Sequence, residues 1–174
     1  YFDGLPRRRT LPDTPAWLPD IVSTDGEWEK VLERLYCIFK IDFVDGKPTL
    51  NNSRVWWDKR VLNGDCYEEG FWHLISKNDN LTNERLFDPR RAERLPWCRP
   101  IIEHFNDIAV KCWDYKVSRS RIEMYLWLED FDYVIIFQKR KQGIGIVYFL
   151  LTAYYVEGNS TRRNLRRKYE KREI

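Results

Sequence analysis

RIEMYLWL (residues 121–128), DYVIIFQK (132–139) and IGIVYFLLTAYYV (144–156) are the stretches whose reading decides the fold. In the first, Arg121, Glu123, Tyr125 and Trp127 alternate with Ile122, Met124, Leu126 and Leu128. A period of two belongs to a strand with unlike faces, because successive side chains of a pleated backbone point to opposite sides. Gly143-Ile144-Gly145 reads as a hairpin connection, and the following apolar run as a buried strand. Three or four consecutive strands joined by short loops make an antiparallel meander, with 144–156 inside it.

Upstream of about residue 110 the period is 3.6. Thr24 or Asp25 is placed to cap a helix whose apolar face is Trp28, Val31, Leu32 and Leu35. Asp45-Gly46 is a turn between two extended pieces, Ile38–Val44 and Thr49–Trp57. The segment CYEEGFWHLISK (66–77) is compatible with a strand or a helical turn. Asp88-Pro89 forms an N-cap followed by proline at the first helical position, opening a helix with Arg90, Arg91 and Arg94. Pro96 and Pro100 break that run, and a second helix covers about Pro100–Ile108. Asn159 or Ser160 caps a basic helix to Arg172. The fold expected is α+β: N-terminal helices packed on a C-terminal antiparallel sheet of about four strands, then a basic C-terminal helix. Residues 1–24, with four prolines and Arg7, Arg8 and Arg9, form a Pro/Arg-rich arm. Residues 25–174 form a single α+β domain.

Composition removes several function classes. The 174 residues are 43% hydrophobic and 16% aromatic, so disorder through lack of core-forming residues is excluded. Cys37, Cys66, Cys98 and Cys112 are scattered without a CxxC pair. That spacing suits neither a zinc site nor a secreted disulfide scaffold, and points to reduced thiols in a cytoplasmic protein. No apolar run approaches the roughly 18 residues of a membrane span, and no signal-peptide pattern is visible. The net charge of +3 is uneven: seven Lys or Arg face two Glu between Asn159 and Ile174. Such an end suits a polyanion or an acidic partner.

Few side chains are placed for chemistry. There is no GxGxxG or Walker loop. Glu129, Asp130 and Asp132 read as a solvated loop rather than a cation site. Of the two histidines, His104 reads as a helix-surface or packing residue. His73, flanked by Phe71 and Trp72 and followed by Ser76 and Lys77, is the candidate for proton transfer near neutral pH. If the aliphatic rows of the sheet pack on the helices, Arg121, Glu123 and Tyr125 share an outward face with Tyr148, Thr152 and Tyr154. Arg can clamp phosphate bidentately, Tyr can stack on bases and Thr can donate to an oxygen. An ordinary solvated face alternates in the same way.

The segments GFWHLISK, DPRRAERLPWCRPIIE, YLWLEDFDYVIIF and YFLLTAYYVEGNSTRRNLRRKYEK together resemble the phage-associated nucleases of the barnase–EndoU–colicin–RelE superfamily. The resemblance runs from about Val55 to the C-terminus and is most specific in LLTAYY followed by a basic helix. It implies metal-independent RNA cleavage of the toxin or phage-defence kind, by 2′-OH transesterification and without cofactor. His73 matches the family's helix-proximal histidine and Thr152 its last-strand hydroxyl; no second histidine stands by to complete an acid–base pair. The catalytic set implied is His73, Arg121, Thr152, Tyr154 and Lys77. Arg90, Arg91, Tyr125, Arg162, Arg163, Arg166 and Arg167 would bind substrate. The partners expected are RNA and a cognate inhibitor or immunity protein, with no membrane. The rival reading is a non-enzymatic RNA- or protein-binding accessory domain.

Overall fold

In the computed structural model, which describes residues 13–172, the alternating stretches lie in long strands flanked by helices on both sides. In chain order the elements are α1 (Trp28–Phe39), a π-helical continuation (Lys40–Asp45), β1 (Thr49–Leu50) and β2 (Ser53–Trp56). Then come α2 (Glu69–Ile75), β3 (Ser76–Asn78), β4 (Arg85–Phe87), α3 (Pro89–Ala92) and α4 (Cys98–Glu103). The last part holds β5 (Lys111–Ser118), β6 (Arg121–Leu128), β7 (Tyr133–Gln142), β8 (Gly145–Tyr155) and α5 (Gly158–Glu170).

The meander β5–β8 is antiparallel throughout, and the sheet continues beyond it to six strands in the order β1-β2-β8-β7-β6-β5. This departs from the expected antiparallel sheet of about four strands. β2 adds to β8 in parallel, Val55 beside Tyr148 and Trp56 beside Phe149. A parallel partner needs a long crossover, so no local turn signal announces it. The β1–β2 turn is Asn51-Asn52, both at positive φ (48° and 60°), which asparagine tolerates better than most residues. β3 and β4 form a separate two-stranded hairpin.

Several helix boundaries also differ from expectation: α1 starts after Glu27 and α5 after Glu157, neither with the side-chain cap expected of Thr24 or Asp25 and of Asn159 or Ser160. Ile38–Val44 is helical rather than extended: Leu35, Phe39 and Phe43 recur four residues apart and are fully buried. That periodicity outweighs the strand preference of Ile38, Ile41 and Val44. Helix α4 starts at Cys98 and stops at Glu103, and Pro100 sits in its first turn, where the missing N–H has no intrahelical partner to lose. Asp88 does cap α3, accepting the Arg91 backbone N–H at 3.2 Å, with Pro89 first in the helix.

Two apolar layers hold the sheet. One face packs Met124, Leu126, Ile135, Phe137, Tyr148, Leu150 and Ala153 against α1, α2 and α4. The other packs Trp113, Tyr125, Trp127, Val134, Ile136 and Val156 under α5, through Leu165 and Tyr169. Of the face expected to be open, Tyr148 turns instead into the first layer, because β8 shifts register between its pairings with Phe137 and Ile136, and the rest is largely covered by the basic helix. Tyr125 is only 1% exposed, its hydroxyl donating to Glu123 at 2.7 Å and lying 2.7 Å from Lys168 Nζ. It cannot stack on a base. Where described, the arm lies on the body: Trp17 stacks on His104 at 4.6 Å, and Trp97 Nε1 donates to the Pro19 carbonyl. Pro6, Pro12 and the Arg7–Arg9 run fall outside the described residues.

Candidate functional site

The segment 66–77 resolves into α2 and β3, and it carries the site. The entry of α2 is fixed by main chain: the Glu69 and Gly70 N–H groups donate to the carbonyls of Arg60 and Asp58, both at 2.8 Å. Approach is so close that a Cβ on Gly70 would fall 2.7 Å from Trp57 Cδ1. At the exit, the orphan carbonyls of the last turn are taken up from outside the helix. Arg91 Nη1 donates to the carbonyls of His73 at 3.0 Å and Ser76 at 2.6 Å, and Thr152 Oγ1 donates to His73 at 3.3 Å.

The side chains of α2 then converge. Glu69 and His73, one helical turn apart, share a face. Buried Glu69 receives a two-pronged ion pair from Arg85 of β4, at 3.1 and 2.6 Å, and its Oε2 lies 3.8 Å from His73 Nε2. Arg85 also lies over the Trp72 ring. Beside them is a cleft of about 390 Å³ lined by His73, Lys77, Asn78, Arg85, Arg91 and Thr152. Burial pushes the His73 pKa below its ordinary value and the Arg85 charge adds to this, while the Glu69 carboxylate opposes it. The net effect favours the neutral imidazole, the form that can accept a proton.

Of the expected residues, His73, Lys77, Arg91 and Thr152 meet in this cleft. Tyr154 lies under Arg91, 5.7 Å from ring to guanidinium carbon. Arg91 and Thr152 spend hydrogen bonds on main-chain carbonyls and so hold the site together. Arg90 lies 3.6 Å from Glu157. Arg121 is not part of the site: the pairings of Thr152 with Ile136 and Ile136 with Tyr125 leave it two strands across and four residues along. That is about 16 Å from Thr152 by standard strand spacings. Arg162 pairs with Asp132 and Arg166 with Glu129, which also receives Lys111. The acidic loop is therefore the docking partner of α5 rather than a free solvated turn. Arg163 and Arg167 remain exposed on its outer face, beside Ser160 and Asn164.

Glu69 and Arg85 went unrecognised in the sequence. The Glu-x-x-x-His spacing of Glu69 and His73 was a legible signal once 66–77 is taken as helix. Arg85 has none, because a hairpin brings it back. The four cysteines are free thiols, and no group of three or more His, Cys, Asp or Glu is gathered for a metal ion among the described residues. No helix among them is long and apolar enough to cross a membrane. Comparison with family models, curated proteins and solved structures returned no match.

Proposed function

We propose that the chain is an endoribonuclease that cleaves RNA by transesterification in the His73 cleft. One observation carries the reading: a half-buried imidazole, backed by a buried carboxylate, shares a cleft with Lys77, Arg85 and Arg91. A proton acceptor surrounded by cations is what an in-line attack on a phosphodiester requires. His73 takes the 2′-OH proton and the 2′ oxygen bonds to phosphorus. The bond to the 5′ oxygen breaks, and that oxygen leaves with a proton from water. The products are a 2′,3′-cyclic phosphate and a 5′-hydroxyl end. Lys77 and Arg85 stabilise the charge on the phosphorane oxygens, so Arg85 takes the role expected of Arg121. Arg91 and Thr152 fix the end of α2, and with it the imidazole.

The test is incubation of the purified protein with a mixed-sequence RNA in EDTA. The wild type is expected to yield cyclic-phosphate ends, and His73→Ala to lose about a hundredfold or more of the rate. RNA that is bound but never cut, with or without Mg²⁺, would make the chain a non-enzymatic binder instead.

A further inference from the structure

Beyond the cleft, the strand pairings set out a second surface on the α5 side of the sheet. Glu123 pairs with Gln138, Gln138 with Phe149, and Phe149 with Trp56, which places these four on one rung and one face. The rung above it follows from the same register. Ile122 beside Lys139 sets Arg121 against Arg140, Arg140 pairs with Val147, and Val55 beside Tyr148 brings Arg54 next to Val147. Three exposed guanidiniums thus stand in a row over an aromatic pair.

Their contacts are specific. Arg140 lies 3.6 Å over the Phe149 ring and is steadied by two bonds to Gln138 Oε1, at 3.0 and 2.9 Å. Arg54 lies 4.6 Å over Trp56, and Lys59 approaches the same ring at 5.1 Å. Helix α5 packs further down this face, on Trp113, Tyr125 and Ile136, and Trp56 and Phe149 stay half-buried. A guanidinium laid on an aromatic ring offers its outer face to a base and its N–H edge to a phosphate. Phe149 precedes Leu151, a lining residue of the His73 cleft, by two residues of β8, or about 7 Å.

We propose that Trp56, Phe149, Arg54 and Arg140 form a stacking subsite for the unpaired bases of single-stranded RNA whose scissile phosphate sits in the His73 cleft. The proposal rests on the nuclease reading for that phosphate, while the platform itself stands on the register and the cation–aromatic contacts. A duplex hides its base faces and gains only from the charge, so the platform favours single strands.

The test uses a 2′-O-methyl single-stranded oligonucleotide, which lacks the attacking hydroxyl, and the duplex of the same sequence. Affinities are read by fluorescence anisotropy at fixed salt. The single strand is expected to bind the wild type more tightly, and Phe149→Leu to weaken it about tenfold or more while leaving the duplex unchanged. Arg140→Gln, a surface change that spares the core, is expected to weaken both and the single strand more. Equal losses for single strand and duplex, or none in Phe149→Leu, would overturn the platform. Cleavage in EDTA keeps the two readings apart. A platform that binds as described in a chain that never cleaves removes the nuclease and supports the subsite. Cleavage that depends on His73 but shows no strand preference keeps the nuclease and removes the subsite.

Discussion

Thr152, on the last strand of the sheet, donates its hydroxyl to the main-chain carbonyl of His73, 3.3 Å away. The same hydroxyl lies 3.3 Å from Arg91 Nη1, which serves that carbonyl too. Strand, capping arginine and histidine-bearing helix are thereby tied at one point. Thr152→Val keeps the shape and removes the donor, and is expected to cost about 1 kcal/mol of stability in chemical denaturation. Cleavage should fall only modestly, because a second donor holds the carbonyl. A loss as large as that of His73→Ala would show that the hydroxyl touches substrate.

The His73 pKa is depressed by burial, which fixes the direction of two pH effects. A base works when unprotonated, so the acid limb of the cleavage profile is expected to fall below pH 6.5. Folded protein also binds the His73 proton less readily than the unfolded chain. His73 therefore costs stability as pH falls through about 6.5 toward the depressed folded value, and contributes no pH dependence above that window. Titration of the His73 ring protons by NMR checks both; a midpoint above 6.5 would contradict them.

Glu69→Gln should act on stability and chemistry together. The bidentate partner of Arg85 is lost at a buried position, expected to cost about 2 kcal/mol. The carboxylate also raises the His73 pKa, so its removal is expected to shift the acid limb of the cleavage profile still lower. An unchanged limb with the stability loss intact would confine Glu69 to a structural role.

The four arginines of α5 are expected to separate into two pairs. Arg162→Ala and Arg166→Ala remove ion pairs to Asp132 and Glu129 and should lower the melting temperature. Arg163→Gln with Arg167→Gln should leave it unchanged and reduce the log–log salt slope of RNA binding by up to about two. A slope insensitive to the second pair would assign the outer face of α5 to something other than nucleic acid.

How much of this was legible depends on how local each signal is. The meander could be read because alternation over 121–128 is a property of neighbouring residues, and Asp88-Pro89 because a cap and its first turn are contiguous. His73 stood out by chemistry alone. The cover over Tyr125 was not visible, since it depends on Leu165 and Tyr169 returning across the sheet. The same limit hid Arg85, whose meeting with Glu69 is made by the β3–β4 hairpin, and displaced Arg121, which a strand pattern puts on the correct face without saying how far along it the site lies.

The seam between β2 and β8 has a consequence for how the chain reaches its final form. The β5–β8 hairpins close short loops, whereas Trp56 must find Phe149 across most of the described chain, and the entropy of closing that loop is lost before the contact returns anything. The meander is therefore expected to assemble before the seam. Both surfaces that would meet RNA lie along this seam, the cleft against the outer edge of β8 and the platform across β8 and β2. Neither is complete in a partly folded chain, so a ligand held by either surface would favour the finished fold.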